Sequence, residues 1–377
     1  MMYAAAATCC AVLLACRLAT AQPAMTGSAE PLDFKTPTAF EDDPSGRIWS
    51  SPVIPKKGAT YLRLHFESIV DLKVAPYDIL LVTRTGVTPI PGEDFAASSS
   101  YTTGELLTDE LQVQVQRRGS HVPDGLSFSI SAVAVGRRPA VAYSIPSEGS
   151  DLKALSLYRN NPLVMRAARS IARLNIWRVT KYATREPYSC TGFVVAPGIL
   201  LTNNHCIRDD EDCAGTAVLL PTADGRRGDT YGCAQLLDSG YRLDFAVIRL
   251  GASAGGNGAS ARGPEALEFS KGQISPSDQA MVLGYPGGED VLQVSIGRCR
   301  IDQIDIEGRL LGDRVDFAHS CSTGEGSSGS PVLDTAGRVV GLHHLGFATS
   351  GEWQRKNRAV TAARLLPIIS ELVNLGR

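Results

Sequence analysis

E-G-S-S-G-S-P, residues Glu325 to Pro331, is the stretch from which the rest of the chain is read. A serine set among glycines and closed by a proline suits a tight turn that presents a hydroxyl. Gly326 and Gly329 supply backbone freedom that residues with a Cβ lack. Such a turn can also aim the amides of Gly326 and Ser328 at one point, where a developing oxyanion would be held. Alone, the heptad has a plain alternative, since Gly/Ser clusters are commonly ordinary loops. Its meaning comes from what lies upstream.

The chain has 377 residues, 44% of them hydrophobic and 20% charged, which describes a globular protein with room for more than one core. A formal net charge of -2 argues against a nucleic-acid or anionic-membrane partner, which would call for a basic patch. Of nine cysteines, Cys9, Cys10 and Cys16 fall in the apolar stretch 4–21. That stretch reads as a secretory signal peptide over 1–21, cleaved after Ala19-Thr20-Ala21. Lipid attachment at Cys16, after Leu14-Ala15, is the minor alternative. The remaining six, Cys190, Cys206, Cys213, Cys233, Cys299 and Cys321, form an even set, which in an exported chain reads as three disulfides with fifteen possible pairings. No later run approaches ~20 apolar residues, so no membrane span is expected. The expected location is secreted or periplasmic.

Residues 22–46 are polar and aperiodic and are expected to be a flexible lead-in. From 47 to 138 the period is two. Leu62, Leu64 and Phe66 alternate with Arg63 and His65, and Leu111, Val113 and Val115 alternate with glutamines. Short strands divided by turn residues predict a small β-sandwich with a partner of its own that the sequence does not name. A linker follows over 139–164, after which Arg166, Arg169 and Arg173 read as a solvated helix face. Strand patterning resumes at Trp177. Phe193–Val195 and Ile199–Leu201 flank Ala196-Pro197-Gly198, a hairpin. The glycine-rich run 251–263 predicts a flexible connector between two all-β halves. The last segment has helical spacing, with Pro367 expected to kink it or to start a second short helix.

Three motifs now fall in order. L-L-T-N-N-H-C (200–206), D-F-A-V-I (244–248) and G-S-S-G-S-P (326–331) resemble the histidine, aspartate and serine motifs of chymotrypsin-like (trypsin-like) serine peptidases. The order His205, Asp244, Ser328 is that family's order. The resemblance spans 165–377 and is nearest the bacterial glutamyl-endopeptidase branch. The sandwich is similar, more loosely, to the N-terminal domain of lysyl-endopeptidase-like secreted proteases. The resemblance implies an all-β fold of two antiparallel six-stranded β-barrels with a short C-terminal helix, preceded by the small β-sandwich. It implies a Cys190–Cys206 disulfide fixing the histidine loop. With that pair in place, 213–233 and 299–321 are the local choices. It also implies hydrolysis of protein or peptide substrates through an acyl-enzyme, with no metal and no organic cofactor.

The residue types fit that chemistry. A serine hydroxyl needs a base as it attacks a carbonyl carbon. His205 supplies one, with an intrinsic pKa near ~6.5. Asp244 orients the imidazole and stabilises the imidazolium, and the Gly326 and Ser328 amides form the oxyanion hole. His319, the other histidine close to a motif, reads as a packing residue. For specificity, Ser322 stands where trypsin-like enzymes carry an acid, and Glu325 falls at the pocket mouth. Thr323 and His343 match the positions that bind a substrate carboxylate in the glutamyl branch, which implies preference for Glu/Asp before the scissile bond. His344 and Leu345 depart from the usual Ser-Trp of the trypsin branch. Ser327 replaces the Asp that receives a new N-terminus in trypsin-type zymogens, so that ion pair cannot form here. The rival reading is a catalytically silent secreted binding protein on a peptidase scaffold.

Overall fold

The computed structural model describes residues 23–375 except 38–39, 41–42, 74–75, 124, 138–142, 145–149, 180–184, 223–226, 254–264, 311 and 347–355. The proposed signal peptide and most of the glycine-rich connector lie outside the described residues.

Alternation of side chains across each strand builds the C-terminal half. Strands Arg185–Ala196, Ile171–Val179, Thr216–Pro221, Arg227–Gly240, Phe245–Ser253 and Ile199–Thr202 pair in that order. Ile199–Thr202 returns to Arg185–Ala196, which closes a six-stranded antiparallel barrel. Ala172, Leu174, Ile176, Val194, Leu200, Ala246 and Ile248 fill its interior. Their neighbours of opposite parity, Phe193, Leu201, Phe245 and Val247, instead join a second core with Leu283, Val294 and Leu342. One face of these strands therefore seals the barrel and the other seals the junction between halves. The expected hairpin is present, with Gly198 at φ 70 in its turn.

In the second half, Met281–Gly284, Pro331–Leu333, Val339–Leu345, Asn357–Thr361, Arg314–His319 and Ile301–Glu307 pair in sequence. A bridge between Gln279 and Arg300 joins the two ends of this set into a second six-stranded ring. The terminal helix Ala362–Leu375 carries Leu365 and Ile369 into the shared core. It runs through Pro367 as one element, so no second short helix starts there.

The N-terminal region is a sandwich, with a four-stranded and a five-stranded sheet closing on Leu64, Phe66, Ile79, Leu81, Val113, Val115 and Ile130. Part of the expected lead-in belongs to it. Gly27–Lys35 is a strand paired with Ser127–Gly136, and Ala24–Met25 adds to the first barrel beside Arg185–Ala196. The sequence there lacks a strong period because Gly27–Lys35 is an edge strand with little of it buried. Arg173 also departs from expectation. It lies on the Ile171–Val179 strand, 4% exposed, and pairs with Glu105 of the sandwich.

Candidate active site

The Ile199–Thr202 strand ends in a turn in which the Cys206 and Ile207 amides both donate to Asn203 O at 3.1 Å. Asn203 Nδ2 donates to Asp244 O at 2.8 Å, tying this turn to the strand that follows Asp244. Arg178 donates to His205 O at 2.9 Å, and a disulfide joins Cys206 to Cys190. His205 is thus held by its backbone before its ring makes any contact.

Asp244 takes the left-handed region at φ 46, a conformation short polar residues tolerate best. Its carboxylate is fully buried, accepts three hydrogen bonds and makes one ion pair with an arginine. Oδ1 receives the His205 amide at 3.0 Å and pairs with Arg309 Nη1 at 3.3 Å. Oδ2 receives His205 Nδ1 at 2.7 Å and His344 Nδ1 at 3.3 Å. Burial by itself pushes this carboxyl up, but the His205 and His344 imidazoles outweigh it and hold the group well below the usual carboxylate range. With Nδ1 of His205 engaged, Nε2 is left as the acceptor, buried and without a hydrogen bond.

Ser328 sits in a turn closed by Ser327 N to Gly324 O at 2.9 Å and Ser330 N to Ser327 O at 3.0 Å. Gly326 and Gly329 have φ 87 and 86. A Cβ on Gly329 would fall 2.0 Å from Thr191 O, so this position excludes any side chain on two counts. Thr191 clamps the turn to the first barrel. Its amide donates to Ser328 O at 2.8 Å, and its Oγ1 donates to Gly326 O at 2.9 Å while accepting from Tyr285 N at 3.0 Å. The Gly287 amide bonds Glu325 O, which fixes the orientation of the Glu325–Gly326 peptide. Among the described residues, the Gly326 and Ser328 amides donate to no protein acceptor. Ser328 Oγ is buried and also unpartnered. Catalytic hydrogen bonds commonly tighten only once substrate is bound, so an unmade Ser–His bond is compatible with such a site.

Ser322, Thr323 and His343 are all buried. His343 flanks the serine turn, since Gly329 N donates to its carbonyl and its own amide donates to Ser330 O, both at 2.9 Å. Its Nδ1 lies 3.2 Å from His319 Nε2, while its Nε2 has no partner. Burial holds both rings neutral, pushing His319 down to about 3 and His343 well below its ordinary range. His319 therefore does not flank the aspartate as a second base but packs behind His343. Ser322 is placed by Asp151, whose amide donates to Ser322 Oγ and whose carboxylate accepts from Ser295 Oγ at 2.6 Å and Arg298 N at 2.9 Å.

Cys213–Cys233 and Cys299–Cys321 are bonded, completing the three local pairs. A ring nitrogen of His205 comes within 4.8 Å of the Cys190 and Cys206 sulfurs. Those sulfurs are bonded to each other and offer no thiolate to a metal.

Four residues with a part in this arrangement escaped the sequence reading: Thr191, Arg309, His344 and Asp316. Thr191 stands next to a disulfide cysteine with nothing local to mark it, and Arg309 and Asp316 reach the centre from a distant hairpin. His344 did leave a trace, as the departure from Ser-Trp. It is fully buried between two carboxylates, with Nε2 2.7 Å from Asp316 Oδ2. Burial opposes its charge, but Asp316 and Asp244 raise it to about 9.

Residues 190–342 match the family profile described as a trypsin-like peptidase domain. Over that stretch the chain is similar to a trypsin-like peptidase domain. The chain is 26% identical over 188 residues to a probable periplasmic serine endoprotease, DegP-like, of Bartonella henselae, covering 49% of this chain and 33% of that protein. A protein of the same description from Chlamydia pneumoniae is 26% identical over 202 residues, covering 52% of this chain and 37% of its own length. The chain spans about a third of the length of these curated relatives. Among solved structures, the active form of the Rv3671c protease from M. tuberculosis is 21% identical with a TM-score of 0.43, over 63% of this chain and 92% of that one. The HtrA-type protease AlgW with a tripeptide is 23% identical with a TM-score of 0.42, over 57% of this chain and 64% of that one. The curated relatives are DegP-like, so the peptidase domain's branch and its preferred substrate stand apart from what the match establishes.

Proposed function

We propose that the protein is a secreted or periplasmic serine endopeptidase in which Ser328, His205 and Asp244 form the catalytic triad. The observation that carries this reading is the His205 Nδ1–Asp244 Oδ2 bond of 2.7 Å, which leaves Nε2 as an acceptor, buried and without a partner as Ser328 Oγ also is. Ser328 Oγ attacks the scissile carbonyl carbon as His205 Nε2 takes its proton. The carbonyl oxygen, now negative, is received by the Gly326 and Ser328 amides. His205 then returns the proton to the leaving amine, and water hydrolyses the acyl-enzyme by the same steps in reverse. No step needs a metal or an organic cofactor. The DegP-like relatives named as periplasmic, together with three disulfides, support an exported location.

The preferred residue before the scissile bond is Glu or Asp, received by His343 Nε2 with Thr323 beside it. A neutral imidazole backed by His319 can donate from Nε2 while accepting at Nδ1, which turns the pair into a directed donor to a carboxylate.

Cleavage mapping by mass spectrometry on a mixed peptide library, with Ser328→Ala as control, tests both levels. Cuts that disappear in the control are expected, and Glu or Asp on their N-terminal side assigns His343 and Thr323. Absence of cuts, together with no labelling of Ser328 by a fluorophosphonate probe, would instead support the silent scaffold.

A further inference from the structure

The mechanism above uses one imidazole on Asp244, yet the structure places two there. His205 and His344 both donate from Nδ1 to the same oxygen, Oδ2, at 2.7 and 3.3 Å. The far nitrogen of His344 is 2.7 Å from Asp316 Oδ2. All three side chains, Asp244, His344 and Asp316, have no exposed surface. A neutral imidazole has one N–H, so it can donate to one carboxylate only. Bonding two buried carboxylates at once calls for a proton on each ring nitrogen, and so for a charged ring.

Resting on the triad reading, we propose that His344 and Asp316 are positioning residues of the catalytic centre, and that His344 acts as a buried imidazolium that balances the charge of Asp244 beside His205. Among the described residues, several charged groups surround His344. Asp244, from the end of the first barrel's loop, and Asp316, on the Arg314–His319 strand, bond it directly. Arg309 reaches Asp244 Oδ1 at 3.3 Å from the loop before that strand. Arg358, on the Asn357–Thr361 strand, acts on Asp316 through space. His319 and His343 lie beside it and are held neutral by burial. His205 faces it across Asp244. Among the described residues, Asp244 and Asp316 thus meet His344, Arg309 and Arg358, with Glu307 also acting on Arg358.

The consequence concerns the pH profile. An isolated buried Asp244 would draw a proton onto His205 and so remove the free base at higher pH. A cation on the same oxygen offsets that attraction. It leaves the hydrogen bond that orients the ring untouched. As His205 accepts the serine proton during attack, Asp244 still stabilises the imidazolium that forms, while in the resting enzyme the base stays available. The device belongs to the second barrel, since His344 and Asp316 both lie on its strands, whereas Asp244 and His205 come from the first. Catalytic poise therefore depends on the two halves being docked.

The test compares wild type, His344→Asn and Asp316→Asn, with Ser328→Ala as the inactive reference. Asn at 344 keeps a donor for Asp244 Oδ2 and removes the charge. The acid limb of kcat/KM is expected to move up by roughly one pH unit in His344→Asn, the scale at which one nearby charge moves a titration. Asp316→Asn is expected to move it in the same direction by less, because His344 loses its counter-charge and with it the second proton. A lowered kcat with the acid limb unmoved in both variants overturns the proposal, since that is what a packing role alone predicts. Activity retained in Ser328→Ala would instead sink the triad reading, so the two failures are distinct. A second measurement is independent of turnover and of variant stability: imidazole ¹⁵N resonances in the Ser328→Ala protein, with His344 assigned by its absence in His344→Asn or, where that variant does not fold, through its backbone. Two protonated nitrogens at pH 7.5 are expected, and a neutral His344 ring at that pH overturns the proposal.

Discussion

Thr191 has no chemical role in the proposed mechanism, yet it ties the serine turn to the first barrel through several bonds at once. Its hydroxyl and amide together reach Gly326, Ser328 and Tyr285, and its carbonyl accepts from Thr202 Oγ1 at 2.7 Å. The hydroxyl is fully enclosed, so no water can take its place in a variant of the same shape. Thr191→Val keeps the volume and leaves Gly326 O and Tyr285 N unpaired, at a cost of about 1–3 kcal/mol each. The expected result is a lower melting temperature together with at least a tenfold loss of kcat, because the oxyanion amides move with the turn. Loss of stability with kcat intact would separate the clamp from the chemistry. At His343 the expectation is a change of preference rather than of rate. His343→Leu removes the buried imidazole donor offered to a substrate carboxylate, so kcat/KM for a Glu substrate should fall by two orders of magnitude or so, since a site built to hydrogen-bond a group strongly rejects its loss. The same variant should treat an apolar substrate no worse than wild type. Equal losses on both substrates would return His343 to plain packing.

Short segments lace the pocket wall from behind, and they do so without the ion pair that Ser327 precludes. Lys153–Ala154 pairs with Gln293–Ser295, and Tyr143–Ser144 pairs with Thr323–Gly324. Between these two contacts Asp151 gathers Ser295, Arg298 and Ser322, and Ser322 N in turn donates to Ser295 Oγ at 2.8 Å. The pocket floor is thus held by residues from the region read as a linker. Asp151→Ala should raise KM several-fold with a smaller change in kcat, as the floor loosens while the serine turn keeps its own clamp. Steady-state kinetics on one peptide decides it, and an unchanged KM would show that the disulfide Cys299–Cys321 holds the floor by itself. Much of this region was legible from sequence. The two all-β halves and the hairpin at Gly198 follow from alternation and turn chemistry, which are local properties of the chain, whereas the barrels and the three motifs were legible through the family resemblance. The linker's strands are two residues long and carry no period to read. Gly27–Lys35 was missed for a related reason, since an edge strand buries too little to show alternation. Asp316 and Arg309 join Asp244 only through the docking of one barrel on the other, and no spacing in the chain encodes that.

At the scale of the molecule, the sandwich and the first barrel share a polar interface that neither could leave exposed without cost. Arg63 donates to Asn175 O and Asn175 Oδ1 at 3.0 and 2.7 Å, and Glu105 bonds both Arg173 and Asn175. Arg173 also donates to Gly288 O at 2.8 Å, in the turn whose Gly287 amide holds Glu325 O. A line of hydrogen bonds therefore runs from the sandwich to the proposed oxyanion peptide. Glu105→Ala would leave a buried guanidinium with the exposed Asp290 as its remaining counter-charge among the described residues, and removal of one partner of a buried pair costs about 3–5 kcal/mol. Stability should also depend on pH with opposite signs on either side of neutrality. His65, His319 and His343 are neutral in the fold, His65 pushed down to about 4 first by burial. The unfolded chain binds protons at these rings below ~6.5 and the folded chain does not, so stability falls as pH drops from there toward the folded values. His344 runs the other way. Raised to about 9, it binds its proton more tightly folded than unfolded, so its contribution is complete below ~6.5 and is lost as pH climbs through 9. The melting temperature should therefore peak near pH 6–7 and decline on both sides. In Asp316→Asn the alkaline decline should flatten while the acid decline stays, because only His344 loses the carboxylate that raised it. An alkaline limb as steep in the variant as in wild type would mean that some other group, and not the imidazolium between the two barrels, sets the stability of this fold above neutrality.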